Sequence, residues 1–303
     1  MKKTLQILNI IWLFILLPFS VVKGSKKDGV QLVGFGTFKV VKMNTLEKII
    51  SFKKKEIQKI KSEISIESLV KSPTFKRTPI SLADSLIAKG SSGIIAEFKR
   101  QSPSKGVINA QADIQQVTHD YLQAGVAAQS ILTDTAFFGG SVMDLVSART
   151  INSSVPILRK DFIVDAFQIV EAKAIGADAI LLIAACLTAE ELKNYGRLAQ
   201  DLGLDVLYEV HDESELDKLG MLPKILGINN RNLKTFEVDL EHSIKMAEQL
   251  PDSVIRVSES GISDPKVVMG LKQYGFQGFL IGEEFMKTDN PGEACKAFID
   301  QLK

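Results

Sequence analysis

The stretch IIAEFKRQSPSKG, residues 94–106, begins like a buried strand and then places charged side chains where a core would exclude them. Side chains alternate between the two faces of a strand, so Glu97 and Lys99 point to one face while Ala96 and Phe98 point to the other. A buried charge without a partner is costly. We therefore expect Glu97 and Lys99 either to pair with each other or to contact a ligand.

Seven further apolar runs follow this stretch, separated by amphipathic helical patterns at about the spacing of one strand–helix unit. A doubly wound sheet with a dinucleotide site would need G-x-G-x-x-G after the first strand, and FKRQSPSKG lacks it. Eight units over about 200 residues instead predict an α/β chain folded as a (β/α)8 TIM barrel with an N-terminal helical extension. The predicted strands start at Gly93, Ala127, Val155, Ala179, Asp205, Ile225, Val254 and Gly278.

The first 42 residues differ from the rest of the chain. Two lysines precede an apolar run over residues 7–22, the layout of a secretory signal or a short membrane anchor. Residues 27–40 alternate like a strand and resemble a segment of the histone-like HU family, without the basic arms that grip DNA. Because the chain reads like a fresh amino terminus at Met43, we expect residues 1–42 to be an atypical leader from a start codon placed too early. A genuine membrane tether through residues 7–22 is the alternative.

Residues 43–303 are predicted to form one barrel domain, in which residues 43–92 add two helices ahead of the barrel as a lid over its mouth. The net charge of +1 gives no global electrostatic case for binding nucleic acid or a membrane. The two cysteines offer neither a disulfide framework nor metal spacing, and the three scattered histidines are interpreted as surface or structural residues. We therefore expect a cytoplasmic protein without a metal site.

The predicted strands end in polar residues at the same depth. Function in a TIM barrel collects at the carboxyl ends of the strands, and acids and bases confined there shift each other's pKa values in opposite directions. Glycines after the seventh and eighth strands, Gly261 and Gly282, let backbone N–H groups approach a phosphate, although turn geometry alone would also explain them. The polar strand-end candidates are Glu97, Lys99, Lys160, Glu209, Asn229, Arg231, Glu259 and Ser260.

The loop TDTAFFGGS after the second strand sets two phenylalanines, Phe137 and Phe138, beside two glycines. These rings either pack on a helix or form an apolar slot for an aromatic ring. Pro103, Phe162 and Leu187 are predicted to line the same slot.

With these motifs, the sequence resembles the indole-3-glycerol phosphate synthase family, the ring-closing enzymes of tryptophan biosynthesis. The resemblance runs from about Met43 to the carboxyl end and includes IIAEFKRQSPSKG, ILTDTAFFGGS, PILRKDFIVD, GINNRNL and ESGI in the family's order. It implies a carboxy-lyase that converts 1-(2-carboxyphenylamino)-1-deoxyribulose 5-phosphate to indole-3-glycerol phosphate with loss of CO₂ and water. The resemblance implies no metal or organic cofactor.

The resemblance also implies roles for the candidate residues. Lys160 is expected to protonate the ketone oxygen, and Glu209 to serve the dehydration steps. Lys99 would hold anionic groups of the substrate, and Glu97 would orient Lys160 and the substrate hydroxyls. Which of Lys99, Lys160 and Glu209 moves which proton is left open. The expected substrate-binding residues are Ser102, Pro103, Phe138, Phe162, Asn229, Arg231, Glu259 and Ser260, and the expected phosphate-binding residues are Lys99, Gly261, Gly282 and Glu283, where Glu283 stands in place of a serine found in some relatives.

Three alternatives are weighed against this interpretation. Phosphoribosylanthranilate isomerase chemistry needs an acid–base pair of cysteine and aspartate at strand ends, and neither Cys186 nor Cys295 is placed for it. An aldolase would form a Schiff base on Lys160. A membrane-tethered or DNA-associated binding protein would act through residues 1–42. The favoured prediction is a monomer whose partner is a small phosphorylated substrate, without nucleic acid.

Overall fold

The structure, a computed structural model, describes residues 30–32, 36–38, 44–231 and 238–303. The chain divides into two units, residues 1–44 and residues 45–303. In the first unit, the strands β1 (Val30–Leu32) and β2 (Gly36–Phe38) pair antiparallel within the stretch predicted to be strand-like. The apolar run over residues 7–22 lies outside the described residues. Among the helices that are described, none combines the length and the hydropathy needed to cross a bilayer.

The second unit contains a closed barrel of eight parallel strands, which confirms the predicted (β/α)8 fold. Neighbours in the barrel are neighbours in the chain, and the last strand pairs with the first to close it. Each strand begins within two residues of its predicted start. The strands of this unit are β3 (Ile94–Phe98), the short hairpin β4 (Gln101–Ser102) and β5 (Gly106–Val107), and then β6 (Ala128–Leu132), β7 (Ile157–Lys160), β8 (Ala179–Ile183), β9 (Asp205–Val210), β10 (Ile225–Asn229), β11 (Ile255–Glu259) and β12 (Phe276–Ile281).

Between residues 44 and 93, three α-helices precede the barrel, where the sequence predicted two. They are α1 (Thr45–Glu63), α2 (Ile66–Val70) and α3 (Leu82–Ile87), with a 3-10 turn at Pro73–Lys76. The additional helix arises because Ser65 and Ser81 each accept a hydrogen bond from the N–H three residues later, so each starts a short helix.

In the described part of the chain, ten more α-helices follow the first barrel strand. Aspartate, serine, threonine or asparagine side chains cap nine of them at the amino end, and glycines in the left-handed region end several of them, as at Gly125 and Gly176. These helices are α4 (Ile114–Ala124), α5 (Thr135–Phe138), α6 (Val142–Ile151), α7 (Ala166–Ile175), α8 (Ala189–Asp201), α9 (Glu213–Lys218), α10 (Leu240–Glu248), α11 (Pro265–Gln273), α12 (Glu283–Met286) and α13 (Pro291–Asp300).

The core has two parts. The larger lies between the strands and the outer helices, and the smaller fills the barrel interior with residues such as Leu158, Leu181 and Leu207. Helix α3 packs into the interior cluster, and Ser85 donates a hydrogen bond to the carbonyl of Ala127, just before β6 begins. Helix α3 therefore closes the amino-terminal end of the barrel, and a ligand has access from the carboxyl ends of the strands.

Candidate active site

A cavity of about 400 Å³ lies at the carboxyl ends of the barrel strands. This volume is within the range of sites for small molecules. Of the segment predicted to form a lid, α1 contributes Thr45, Leu46 and Ile49 to the cavity wall. The cavity brings together every residue predicted for catalysis, substrate binding or phosphate binding, namely Glu97, Lys99, Ser102, Pro103, Phe138, Lys160, Phe162, Glu209, Asn229, Arg231, Glu259, Ser260, Gly261, Gly282 and Glu283.

Strand register explains why these side chains meet. Lys160 is the last residue of β7, Asn229 of β10 and Glu259 of β11, and Asn229 pairs directly with Glu259 across the parallel ladder. Glu209 pairs with Ile183, the last residue of β8. Since the strands are parallel and closed, residues at their carboxyl ends form one ring at one depth.

Lys160 contacts two other members of this ring. Its Nζ is 3.3 Å from Glu209 Oε2 and 3.2 Å from Glu259 Oε2. Burial alone would lower the pKa of Lys160, but the carboxylates of Glu259 and Glu209 outweigh it and raise the pKa above its ordinary value. Lys160 is therefore an ammonium at neutral pH and is able to donate a proton or a charged hydrogen bond.

Glu209 is held in its ionised form. Burial opposes the charge, yet the cations of Lys160 and His211 and a hydrogen bond from Asn229 Nδ2 at 3.0 Å lower its pKa. His211 Nε2 lies 3.3 Å from Glu209 Oε1. Glu209 is therefore unprotonated at neutral pH, the state in which a carboxylate can accept a proton.

Glu259 behaves differently, because burial raises its pKa to about 7, with Lys160 acting in the opposite direction. Its side chain is 1% exposed, and neither carboxylate oxygen has a hydrogen bond of good geometry among the described residues. The glycine at position 227 makes room for it, because a Cβ there would overlap Glu259 Oε1. Glu259 is thus a buried carboxyl group with hydrogen-bonding capacity facing the cavity.

Glu97 and Lys99 pair with each other, with Lys99 Nζ 2.8 Å from Glu97 Oε1. Both line the cavity, so the two possibilities raised by the sequence hold together: the residues pair, and they face the space for a ligand. Gly282 packs against Glu97, where a Cβ would be 2.6 Å from Glu97 Oε1. Close packing therefore accounts for this glycine independently of any phosphate.

The loops after β11 and β12 form another part of the cavity wall. Ser260 and Gly261 have φ values of 70° and 74°, and such a value is uncommon for serine. Gly282 starts α12 without a side-chain cap. The unexpected acid, Glu283, lies 3.3 Å from Lys105 Nζ through one oxygen and 3.9 Å from Arg231 through the other.

Two aromatic rings form an apolar part of the cavity wall. The rings of Phe138 and Phe162 are 5.9 Å apart, whereas Phe137 packs edge-on against Phe52 of α1 at 5.7 Å. Phe137 therefore packs on a helix, and Phe138 lines the cavity beside Phe162. The prediction for Leu187 is wrong, because the 3-10 turn at Ala184–Cys186 ends β8 and places Leu187 in the core between the strands and the outer helices.

Sequence reasoning missed His211 and a buried ion cluster beneath α1. His211 stands two residues after Glu209 and one residue beyond the end of β9, so the period-two reading that grouped Glu97 with Lys99 would have pointed to it. In the ion cluster, Lys53 Nζ lies 2.9 Å from Asp134 and 3.1 Å from Asp161, which directly follows Lys160. Among the described residues, no group of histidine, cysteine, aspartate and glutamate side chains is arranged to hold a metal ion.

Comparison with known proteins identifies close relatives. The family model for indole-3-glycerol phosphate synthase matches residues 46–298. An indole-3-glycerol phosphate synthase from Bacteroides thetaiotaomicron is 48% identical over 259 residues, which cover 85% of this chain and 98% of that protein. One from Salinibacter ruber is 42% identical over 254 residues, which cover 83% of this chain and 94% of that protein.

Solved structures show the same fold at low identity. Tryptophan synthase subunit alpha from Legionella pneumophila aligns with a TM-score of 0.54 at 13% identity, over 73% of this chain and 95% of that one. Thiamine phosphate pyrophosphorylase from Pyrococcus furiosus aligns with a TM-score of 0.53 at 14% identity, over 73% of this chain and 99% of that one. Likeness at this level of identity extends to the barrel alone.

Proposed function

The chain belongs to the indole-3-glycerol phosphate synthase family and is a carboxy-lyase of tryptophan biosynthesis, and within that activity we propose that Lys160 is the general acid and Glu209 the general base. The observation that carries this proposal is the position of Lys160 Nζ, 3.2–3.3 Å from two buried carboxylates inside one cavity. That arrangement keeps a lysine cationic and a glutamate anionic side by side. The same pH therefore supplies an acid and a base.

The cavity offers a separate region for each part of the substrate. The Phe138–Phe162 slot suits the carboxyphenyl ring, and the loops at Ser260–Gly261 and Gly282 suit the phosphate. The ribulose chain then crosses the ring of strand ends, where Lys160 lies. Its hydroxyls meet Glu259 and Asn229, and Lys99 and Arg231 are available to the anionic groups.

Ring closure needs a cation beside the ketone. As the ring carbon that bears the carboxylate attacks, electrons move to the ketone oxygen, and Lys160 donates a proton to make a hydroxyl. The carbon–carboxylate bond then breaks, CO₂ leaves, and the bond electrons restore the aromatic ring.

Dehydration follows from the hydroxyl formed in that step. A lysine ammonium in the cavity protonates this hydroxyl, which then leaves as water. Glu209 removes a proton from the adjacent carbon, the methylene carbon of the substrate, and the resulting double bond completes the indole. A Schiff base on Lys160 would need a neutral amine, which the raised pKa of Lys160 opposes.

We also propose that the enzyme is a cytoplasmic monomer. Support for the location comes from its two free cysteines, one buried and one partly buried, in a chain without a disulfide framework. Sedimentation equilibrium tests the oligomeric state, and a dimer mass would contradict the proposal.

The test of Lys160 is turnover of the carboxyphenylamino-deoxyribulose phosphate, followed by indole fluorescence. Lys160→Ala is expected to lower kcat by about 10²–10⁴ without loss of fold. The matched control is Lys224→Ala, because Lys224 immediately precedes β10 at the amino-terminal end of the barrel and is 59% exposed. Retention of more than about a tenth of the wild-type rate by Lys160→Ala would contradict its role.

A further inference from the structure

His211 connects the proposed general base to a second buried carboxylate. Its Nε2 lies 3.3 Å from Glu209 Oε1, and its Nδ1 lies 3.3 Å from Glu215 Oε2 on α9. Glu215 is itself held in place, since the same oxygen accepts the backbone N–H of His211 at 2.8 Å. The imidazole, 11% exposed, thus lies between two carboxylates.

This geometry determines the charge of the ring. A neutral imidazole has one N–H donor and one lone pair, so one of the two carboxylates would face a lone pair. A doubly protonated imidazolium carries an N–H on each nitrogen: Nδ1–H is within hydrogen-bonding distance of Glu215, and Nε2–H faces Glu209 as an ion pair without a hydrogen bond of good geometry. The arrangement around His211 is therefore complementary to the cation.

We propose that His211 is a positioning residue, an imidazolium held between Glu209 and Glu215 that orients Glu209 and keeps it ionised for the dehydration step. The inference rests on the role of Glu209 proposed above. His211 lies behind Glu209 and outside the residues that line the cavity, so it acts through that carboxylate.

Charged groups from several elements face this residue. Burial lowers the pKa of His211, but hydrogen bonding to Glu215 and the charges of Glu209, Glu215 and Glu259 outweigh it and raise the pKa. The cation of Lys160 is on the far side of Glu209, 3.3 Å from its other oxygen. From α10, His242 Nε2 hydrogen bonds to the carbonyl of His211 at 3.0 Å and fixes the backbone.

The ring's protonation state is measured by long-range ¹H–¹⁵N NMR on the full-length protein. The chain has three histidines, and the His211 resonances are those lost in His211→Gln. We expect both ring nitrogens of His211 to carry protons at pH 7.5. In Glu215→Gln, which keeps the imidazole but removes one carboxylate, the ring should lose its proton at a lower pH than in the wild type.

The kinetic test compares pH profiles of kcat. Without the adjacent cation the pKa of Glu209 rises, so the acid limb for His211→Gln should move up by about one pH unit. We expect kcat to fall about tenfold on the acid limb, below the pKa of Glu209, while kcat near neutral pH and KM stay within about twofold, because one pH unit corresponds to a tenfold change in ionised fraction only where the group is mostly protonated. His119→Gln, on the exposed side of α4, is the matched control and should match the wild type.

A singly protonated His211 at pH 7.5 would overturn the inference. So would a doubly protonated ring combined with a wild-type pH profile in His211→Gln. The NMR result does not depend on turnover, and Glu209→Gln, assayed in parallel, tests the role of Glu209 itself. If Glu209→Gln retains the wild-type rate, the proposed base is wrong, whatever the state of His211.

Discussion

Replacing Lys53 by methionine tests how the first helix is attached to the barrel. Lys53 is 2% exposed, and its ammonium lies 2.7 Å from Glu56, 2.9 Å from Asp134 and 3.1 Å from Asp161. Methionine keeps much of the side-chain volume and removes the charge. Asp161 retains Arg159 and Thr133 as partners, and Asp134 retains the N–H of Phe137.

Breaking a buried ion pair by removing one partner typically costs about 3–5 kcal/mol, because the remaining charge is uncompensated. We expect Lys53→Met to lower the free energy of unfolding, measured by urea denaturation, by about 3 kcal/mol, since Asp161 keeps other partners. The double variant with Asp134→Asn should recover at least about 1 kcal/mol relative to the sum of the single changes.

The matched control is Lys59→Met on the same helix. Lys59 is 78% exposed and lies 4.0 Å from Glu63, so its loss should cost no more than about 0.5 kcal/mol. A change below about 1 kcal/mol for Lys53→Met, or strict additivity with Asp134→Asn, would refute the reasoning.

Three further outcomes follow from the site. Gly227→Ala should displace the Glu259 carboxylate from Lys160 and lower kcat about tenfold with the fold retained, and a crystal structure with Glu259 unmoved would count against this account. Because the pKa of Glu259 is raised from 4.5 to about 7, the folded state holds a proton that the unfolded state has released, so the contribution of Glu259 to stability declines as pH rises from about 5 to 7. Urea midpoints for Glu259→Gln should lack that decline, and an unchanged pH slope would disprove the assignment. Phe162→Ala should raise KM about tenfold with a smaller effect on kcat, and an unchanged KM would remove Phe162 from the aromatic slot.

Much of the barrel was predictable because its strands are buried on both faces and read as short apolar runs. The ring of polar strand ends was predictable because Lys160, Glu209 and Glu259 each end a strand-like apolar run, and the carboxyl ends of parallel strands lie at one depth. The prediction for Leu187 failed because β8 gives way to a 3-10 turn after Ile183, and no local pattern shows which way the chain leaves that turn.

Other features lie beyond local pattern. The Lys53 cluster joins residues far apart in the chain, and nothing near Lys53 distinguishes it from the other lysines of α1. The position of His211, two residues after Glu209, indicates from sequence that the two side chains are close. The contact between His211 and Glu215 forms only because α9 packs beside the end of β9. Contacts between a strand residue and a helix that packs beside it depend on tertiary packing, and a single sequence does not reveal that packing.

The most direct test of the central claim, that Lys160 and Glu209 act on different steps from one ring of strand ends, is a single-turnover measurement of CO₂ and indole together. In the wild type the two products should appear in equal amounts. Glu209→Gln should release CO₂ well before indole fluorescence develops, because ring closure and decarboxylation precede the dehydration that needs the base, while Lys160→Ala should slow both equally. Simultaneous loss of CO₂ and indole in Glu209→Gln, or CO₂ release without indole in Lys160→Ala, would contradict the account.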